Sequence, residues 1–215
     1  MAENREETLM KNFVSALNEV FKNDFFEFKK DAYKKISAGK FVSLKKALSN
    51  INNIVTLKVT NLFIKKLVKD GFVDITQEVA MKVNVNNNSA NANGYDVEYT
   101  ANKSKEKNIL AEVKCNIPVG KEHFGSAQKA GILKDIEGLL KGEKKSKSNV
   151  KTSDYYKFMV FMKYDVDCDV EKSVKDLLKG YKYKDNVKWY SKEYDKEKKK
   201  DYYGLTKDYV YIILI

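Results

Sequence analysis

The apolar residues change period along this chain, and that change limits the folds open to it. Over residues 6–38, Leu9, Phe13, Leu17, Val20, Phe21, Phe25 and Phe28 recur at spacings of three and four, the mark of a helix face. Asn23-Asp24 is a candidate break in that segment, and Ser37-Ala38-Gly39 a candidate stop. A second helix is predicted over 43–70, with Ser43 as N-cap, Leu44, Leu48, Ile51, Val55, Leu62 and Leu67 on one face, and Gly71 closing it. Beyond Gly71 the pattern alternates. Residues 72–76, and then Val79, Met81, Val83 and Val85, read as strands. A polar, turn-forming loop over 86–94 leads to a short strand over 95–99. After a charged loop comes Ile109-Leu110-Ala111-Glu112-Val113-Lys114-Cys115, the best candidate for a central strand, ended by Pro118. A helix over 126–140, a strand over 156–162, a helix over 170–178 and a last strand over 209–215 follow; 181–208 is rich in Lys and Tyr and fits no element clearly.

That order predicts an α/β core carrying an N-terminal helical layer. The expected division is a helical segment over 1–42, a candidate dimer element, and a core over 43–215 carrying a Lys/Tyr-rich extension. At 215 residues the chain can bury a core without a disulfide or zinc staple.

Scarce residues exclude whole classes of chemistry. His123 is the only histidine, which removes paired-His metal sites. Cys115 and Cys168 are far apart and no CxxC occurs, so a Cys-based zinc site is not expected. Neither GxxxxGK[ST] nor GxGxxG is present, which takes away the main support for phosphate-loop NTPases and dinucleotide enzymes. The opening residues are too charged for a signal peptide and no apolar run is long enough to cross a membrane, so a reduced, cytoplasmic compartment is expected. The net charge is +11, with 41 Lys+Arg against 30 Asp+Glu, and Arg5 is the only arginine. Lysine holds phosphate as a point charge and lacks the fork that reads guanine edges. An AT-rich coding sequence would produce the same skew.

Two acidic features meet in the middle of the pattern. Asp96 opens a short strand after Gly94, while Glu112 and Lys114 lie two apart on the next strand and leave it on one face. Adjacent antiparallel strands would bring Asp96 beside Glu112. Two carboxylates and the Val113 carbonyl would then make an oxygen site suited to Mg²⁺, with Mn²⁺ as an alternative. Lys114 would lie beside the ion, placed to orient a water or to stabilise charge on phosphorus. Acid-x-Lys also occurs at Glu27, Glu143 and Glu197, but only Glu112-Val113-Lys114 sits in an apolar strand. Charge there is costly unless it is paired or binds a metal; otherwise the set is a salt bridge across two strands.

Gly94-Tyr95-Asp96, a gap, and Ala111-Glu112-Val113-Lys114 resemble the PD-(D/E)XK nuclease superfamily, the fold of type II restriction endonucleases and several repair nucleases. The resemblance covers about residues 43 to 163. It implies a restriction-endonuclease-like α-β-β-β-α-β core with a mixed sheet flanked by helices, the Asp opening the second strand and the E-x-K on the third. It further implies Asp96 and Glu112 as metal ligands assisted by the Val113 carbonyl, and Lys114 serving the attacking water. Tyr95 stands where the motif has proline. A further acid is often supplied from before or within the first strand, for which Glu78 is the choice here. The following helix often adds polar residues, for which Gln128 is the candidate beside its reading as a helix-start residue. A Gln-x-x-x-Tyr pattern would need Tyr at position 132, where Ile132 stands.

The function implied is a Mg²⁺-dependent endonuclease that cuts double-stranded DNA, as a restriction enzyme and a homodimer. The alternatives are a structure-selective repair or junction-resolving nuclease and a non-cleaving nucleic-acid-binding module. Lys121, His123 and Lys129 are weak candidates for DNA contact, His123 being read first as a loop residue without a catalytic role. Over 181–203 the Tyr and Lys residues suit either a nucleic-acid surface or a hairpin with its aromatics inward and lysines in water. The loop over 141–151 reads as a DNA-tracking or merely solvated charge run.

Overall fold

A computed structural model describes residues 37–87, 94–102, 106–119, 122–142, 150–164, 168–191, 193–195, 200–202 and 204–215 of the protein. The chain divides into two compact units, 1–51 and 52–215. Helix α1 (Ala38–Lys69) is followed by α2 (Ile75–Asn87), β1 (Val97–Tyr99), β2 (Ile109–Lys114), α3 (Ser126–Lys141), β3 (Tyr156–Phe161), α4 (Val170–Lys179), β4 (Val187–Trp189), β5 (Glu193–Asp195), β6 (Lys200–Tyr202) and β7 (Val210–Leu214). Among the described residues no helix is long and apolar enough to cross a membrane.

Five strands form a mixed sheet in the order β1-β2-β3-β7-β4. β1 runs antiparallel to β2, with Val97 opposite Ala111, and β2, β3, β7 and β4 run parallel to one another. Helix α3 makes the crossover from β2 to β3, as a parallel pair requires. β5 and β6 form a separate antiparallel pair. The α/β class and the helix-flanked mixed sheet are as the sequence predicts.

The two faces of β2 belong to two different cores. Ile109, Ala111 and Val113 pack with Phe63, Ile64 and Leu67 of α1, Met81 and Val85 of α2, and Phe158 and Val160 of β3. Leu110 faces the other way, into a core with Ile132, Ile136 and Leu139 of α3 and Val174 and Leu177 of α4. Strand alternation puts Glu112 and Lys114 on the Leu110 face, beneath α3.

The end of α1 follows the sequence. Gly71 takes φ 72°, and the Phe72 N–H reaches back to the Leu67 carbonyl at 2.8 Å, the closure that a left-handed glycine makes cheaply. Its start does not. Ser43 lies inside the helix, its hydroxyl donating to the Gly39 carbonyl at 3.2 Å, and is not the N-cap.

The strands expected over 72–76 and 79–85 are corrected. Phe72 and Val73 are buried in a turn and Ile75–Asn87 is helical. Apolar residues at every second position also contain residues four apart, so the pattern fits both periods. The buried set is Gln77, Glu78, Met81 and Val85, one helical stripe, while Ile75, Val79 and Val83 face outward. Asp74 caps the helix: its carboxylate accepts the Gln77 N–H at 2.8 Å and its carbonyl the Glu78 N–H at 3.0 Å. Gln77 then grips the chain ahead of β2, its amide donating to the Lys107 carbonyl at 2.7 Å and accepting the Lys107 N–H at 3.2 Å. Among the described residues, two strands therefore precede α3, where the implied core has three.

Candidate active site

The register of β1 on β2 assembles the site. The paired register ends at Val97 opposite Ala111; carried one step further, it would bring Asp96 level with Glu112. The ladder stops there, and the Asp96 carboxylate bends across to accept the Val113 N–H at 2.7 Å. Glu112 lies close enough to Asp96 to act on its charge, and the residue is only 6% exposed. Within a strand, a residue's N–H and C=O leave on the same edge. The Val113 carbonyl therefore faces the same side as Asp96, while the Lys114 carbonyl accepts from Met162 on the β3 side at 3.0 Å.

Neighbouring elements hold this end of β1 and β2. The Tyr95 hydroxyl donates to the Gly138 carbonyl of α3 at 2.9 Å, tying the residue before Asp96 to the helix above it. The Tyr164 hydroxyl donates to the Cys115 carbonyl at 2.5 Å, fixing the chain just after Lys114. Gly94, at φ 128°, provides the turn into the strand.

Lys114 faces two acids. Its Nζ contacts Asp135 Oδ2 of α3 directly and lies 4.0 Å from Glu112 Oε2. Burial pulls its pKa down, but the hydrogen bond and charge of Asp135, with Glu112 and Asp96 behind it, more than offset this and leave it raised. Lys114 is thus held as a cation. Asp96 moves upward too, because burial penalises its charged form more than the Val113 N–H and Lys114 favour it.

Sequence reasoning missed Asp135. The signal available was topological: the helix crossing from β2 to the next parallel strand must lie over one face of β2. A half-buried lysine on that face needs a counter-ion, and the acids on that helix are Asp135 and Glu137.

The donor set suits a hard divalent cation. Two carboxylates and one backbone carbonyl, without sulfur or imidazole, are a partial oxygen shell of the kind Mg²⁺ completes with water and substrate phosphate. Among the described residues no group of three His, Cys, Asp or Glu side chains forms a fuller cage.

The other residues chosen from sequence lie elsewhere. Glu78 is on α2 rather than a strand, and its carboxylate is held by Lys82. That helix covers the sheet face opposite Glu112. Both ends of the Gln128 amide are engaged by backbone: Oε1 accepts the Gly125 N–H at 2.9 Å and Nε2 donates to the Ile117 carbonyl at 3.2 Å. Gln128 thereby closes the start of α3. His123 and Lys129 are exposed, with the His123 carbonyl accepting the Val119 N–H at 2.6 Å. Lys121, most of the 86–94 loop and most of the 141–151 loop lie outside the described residues.

Over 181–191 the hairpin reading is corrected: the chain there is a turn followed by β4, which pairs parallel to β7, though aromatics do turn inward and lysines outward. Tyr181 is buried and donates to the Leu133 carbonyl at 3.2 Å, and Tyr190 donates to Asp70 at 3.1 Å. Lys182, Lys184 and Lys188 are exposed.

The chain matches no family model, and no curated protein or solved structure is similar enough to count as a match.

Proposed function

We propose that this chain is a divalent-metal-dependent endonuclease of the PD-(D/E)XK type, hydrolysing DNA phosphodiesters in the manner of a type II restriction enzyme. One observation carries the reading: the Asp96 carboxylate reaches from the end of β1 to the Val113 N–H of β2, between Glu112 and Lys114, which share one face. The order β1, β2, α3, β3 also corresponds to the last four elements of the family core. Helix α2 stands where that core has its first strand.

Asp96, Glu112 and the Val113 carbonyl would hold the cation. The chemistry it supplies when bound is neutralisation of charge on the phosphoryl and leaving oxygens and a more acidic water. The chain's own residues do the rest. Asp96, tethered by the Val113 N–H, keeps one donor fixed at the strand edge. Glu112, buried on the α3 face, keeps the second donor against it. The Lys114 ammonium donates hydrogen bonds, orienting a water for in-line attack or offsetting charge that grows on the phosphate. DNA is the substrate class, its acidity matching the +11 charge of the chain. A palindromic target would call for a homodimer with one site per strand.

The test is incubation of the wild type, Lys114→Ala and Asp96→Ala with plasmid DNA and Mg²⁺. Discrete fragments from the wild type alone support restriction, and cutting confined to branched DNA supports a junction-resolving enzyme. Binding without any cutting under these conditions removes the nuclease reading and leaves a nucleic-acid-binding module.

A further inference from the structure

We propose that the loop over 115–119 reads an A·T base pair beside the cut, with Ile117 and Val119 set against the 5-methyl group of its thymine. This rests on the nuclease reading above and adds the base that the site selects.

The place of the loop follows from the order of elements. Glu112 and Lys114 stand at the carboxyl end of β2, and 115–119 leaves from that end before α3 crosses back. Ile117 is three residues beyond Lys114, at most about 11 Å along the chain. Bases on one strand step by about 3.4 Å, so a phosphate held at Lys114 would put Ile117 within about three base pairs of the cut.

The chemistry of the loop suits bases rather than phosphates. Charged residues make up 33% of the chain, yet 115–119 reads Cys-Asn-Ile-Pro-Val, without a charge. Ile117 and Val119 are 56% and 53% exposed, while Pro118 between them is buried. Two aliphatic side chains therefore stand at the surface two residues apart. Covering them with an apolar group is favourable, and among the four base pairs only those with thymine present a methyl in the major groove. Guanine edges are best met by the arginine fork, and Arg5 is the only arginine of the chain.

The loop is also held in shape before any DNA arrives. Gln128 Nε2 donates to the Ile117 carbonyl at 3.2 Å, and its Oε1 accepts the Gly125 N–H at 2.9 Å, so both ends of the loop region are tied to the start of α3. The Val119 N–H donates to the His123 carbonyl at 2.6 Å. Phe124 is buried and stacks on Phe161 of β3, with ring centres 6.1 Å apart. These hydrogen bonds engage the backbone and leave the Ile117 and Val119 side chains at the surface. A contact made by a fixed loop loses little entropy on binding.

The experiment removes the methyl from the DNA and the side chains from the protein. Sequencing the ends of the plasmid fragments locates the cut. Short duplexes carrying it are made with each thymine within about three base pairs replaced in turn by deoxyuridine, which lacks only the methyl. The kcat/KM with Mg²⁺ is measured for the wild type and for Ile117→Ala/Val119→Ala. In the wild type one replacement is expected to lower kcat/KM by about 4- to 10-fold, the usual effect of one lost methyl contact, mainly through KM. Ile117→Ala/Val119→Ala should lose a similar factor on the thymine duplex and nothing more on the deoxyuridine duplex. A cut site without thymine in that range overturns the proposal. So does a wild type indifferent to every replacement, or a variant that keeps the full deoxyuridine penalty. DNA is still cut in these three outcomes, so the nuclease reading survives them. If the variant does not fold, the deoxyuridine series on the wild type decides alone. A wild type that cuts no DNA defeats the nuclease reading itself, and this inference with it.

Discussion

The Asp96 carboxylate accepts the Val113 N–H at 2.7 Å, taking the donor that a longer β1 would have paired with a backbone carbonyl. One side chain therefore both ends the strand and presents a carboxylate beside Glu112. These two roles separate under mutation. Asp96→Asn keeps an acceptor for Val113 and loses the charge, so its melting temperature should stay near wild type while Mg²⁺-dependent cutting disappears. Asp96→Ala leaves a buried N–H unpaired and should also destabilise the fold by about 1–3 kcal/mol. Thermal unfolding and plasmid cleavage of both variants check this.

Tyr95 reaches the Gly138 carbonyl through its hydroxyl, tying the residue before Asp96 to α3. Tyr95→Phe removes that donor and leaves the ring packed. The expected cost is about 0.5–1.5 kcal/mol in urea unfolding, with an unchanged m-value.

Glu78 and Glu112 are both buried acids, but only Glu112 meets Asp96. Glu78→Gln should leave the cleavage rate at the wild-type level, whereas Glu112→Gln should abolish cutting. Parallel assays of the two settle whether a helix α2 carboxylate takes part.

Asp74 starts helix α2 through its bond to the Gln77 N–H. Asp74→Ala should lower stability by about 1 kcal/mol, the usual value of an N-cap side chain. Faster amide exchange should be concentrated in the first turn of Ile75–Asn87; if instead 79–85 shows strand-type chemical shifts, the helix assignment fails.

At high pH three tyrosines matter. Burial, reinforced by the Glu106 hydrogen bond, pushes the Tyr99 phenol up to about 12, and burial does the same at Tyr164 and Tyr181, each to about 12. The unfolded value is 10.0. Each phenol's contribution to stability is therefore intact below pH 10.0 and lost as the pH rises through about 12. Urea midpoints should fall across that window. Tyr99→Phe should fall less steeply than wild type, and tyrosinate absorbance should show these phenols titrating late.

Much of the site was legible in the sequence because strand alternation is a local rule. Once 109–114 is a strand, Glu112 and Lys114 must share a face and Val113 must take the other. Gly71 as the end of α1 was legible for the same kind of reason, since a left-handed closing residue is a property of one position. The helix over 75–87 was written there too, in Asp74 three residues before Gln77, but residues two apart are also four apart and the alternation masked it. Burial settles that ambiguity: Gln77, Met81 and Val85 reach the core together only on a helix.

What the sequence by itself determined is the chemistry within reach: an apolar strand bearing an acid and a lysine, a second acid just ahead of a neighbouring strand, and too few histidines and cysteines for a site built on them. Only the tertiary structure decided which groups meet. The antiparallel pairing of β1 on β2 brought Asp96 onto the Val113 N–H, next to Glu112, and the crossover of α3 brought Asp135, 21 residues beyond Lys114 by numbering, onto the lysine. The physical reason is that an ion pair depends on distance in space, and for residues so far apart along the chain that distance is set by how helix and sheet pack.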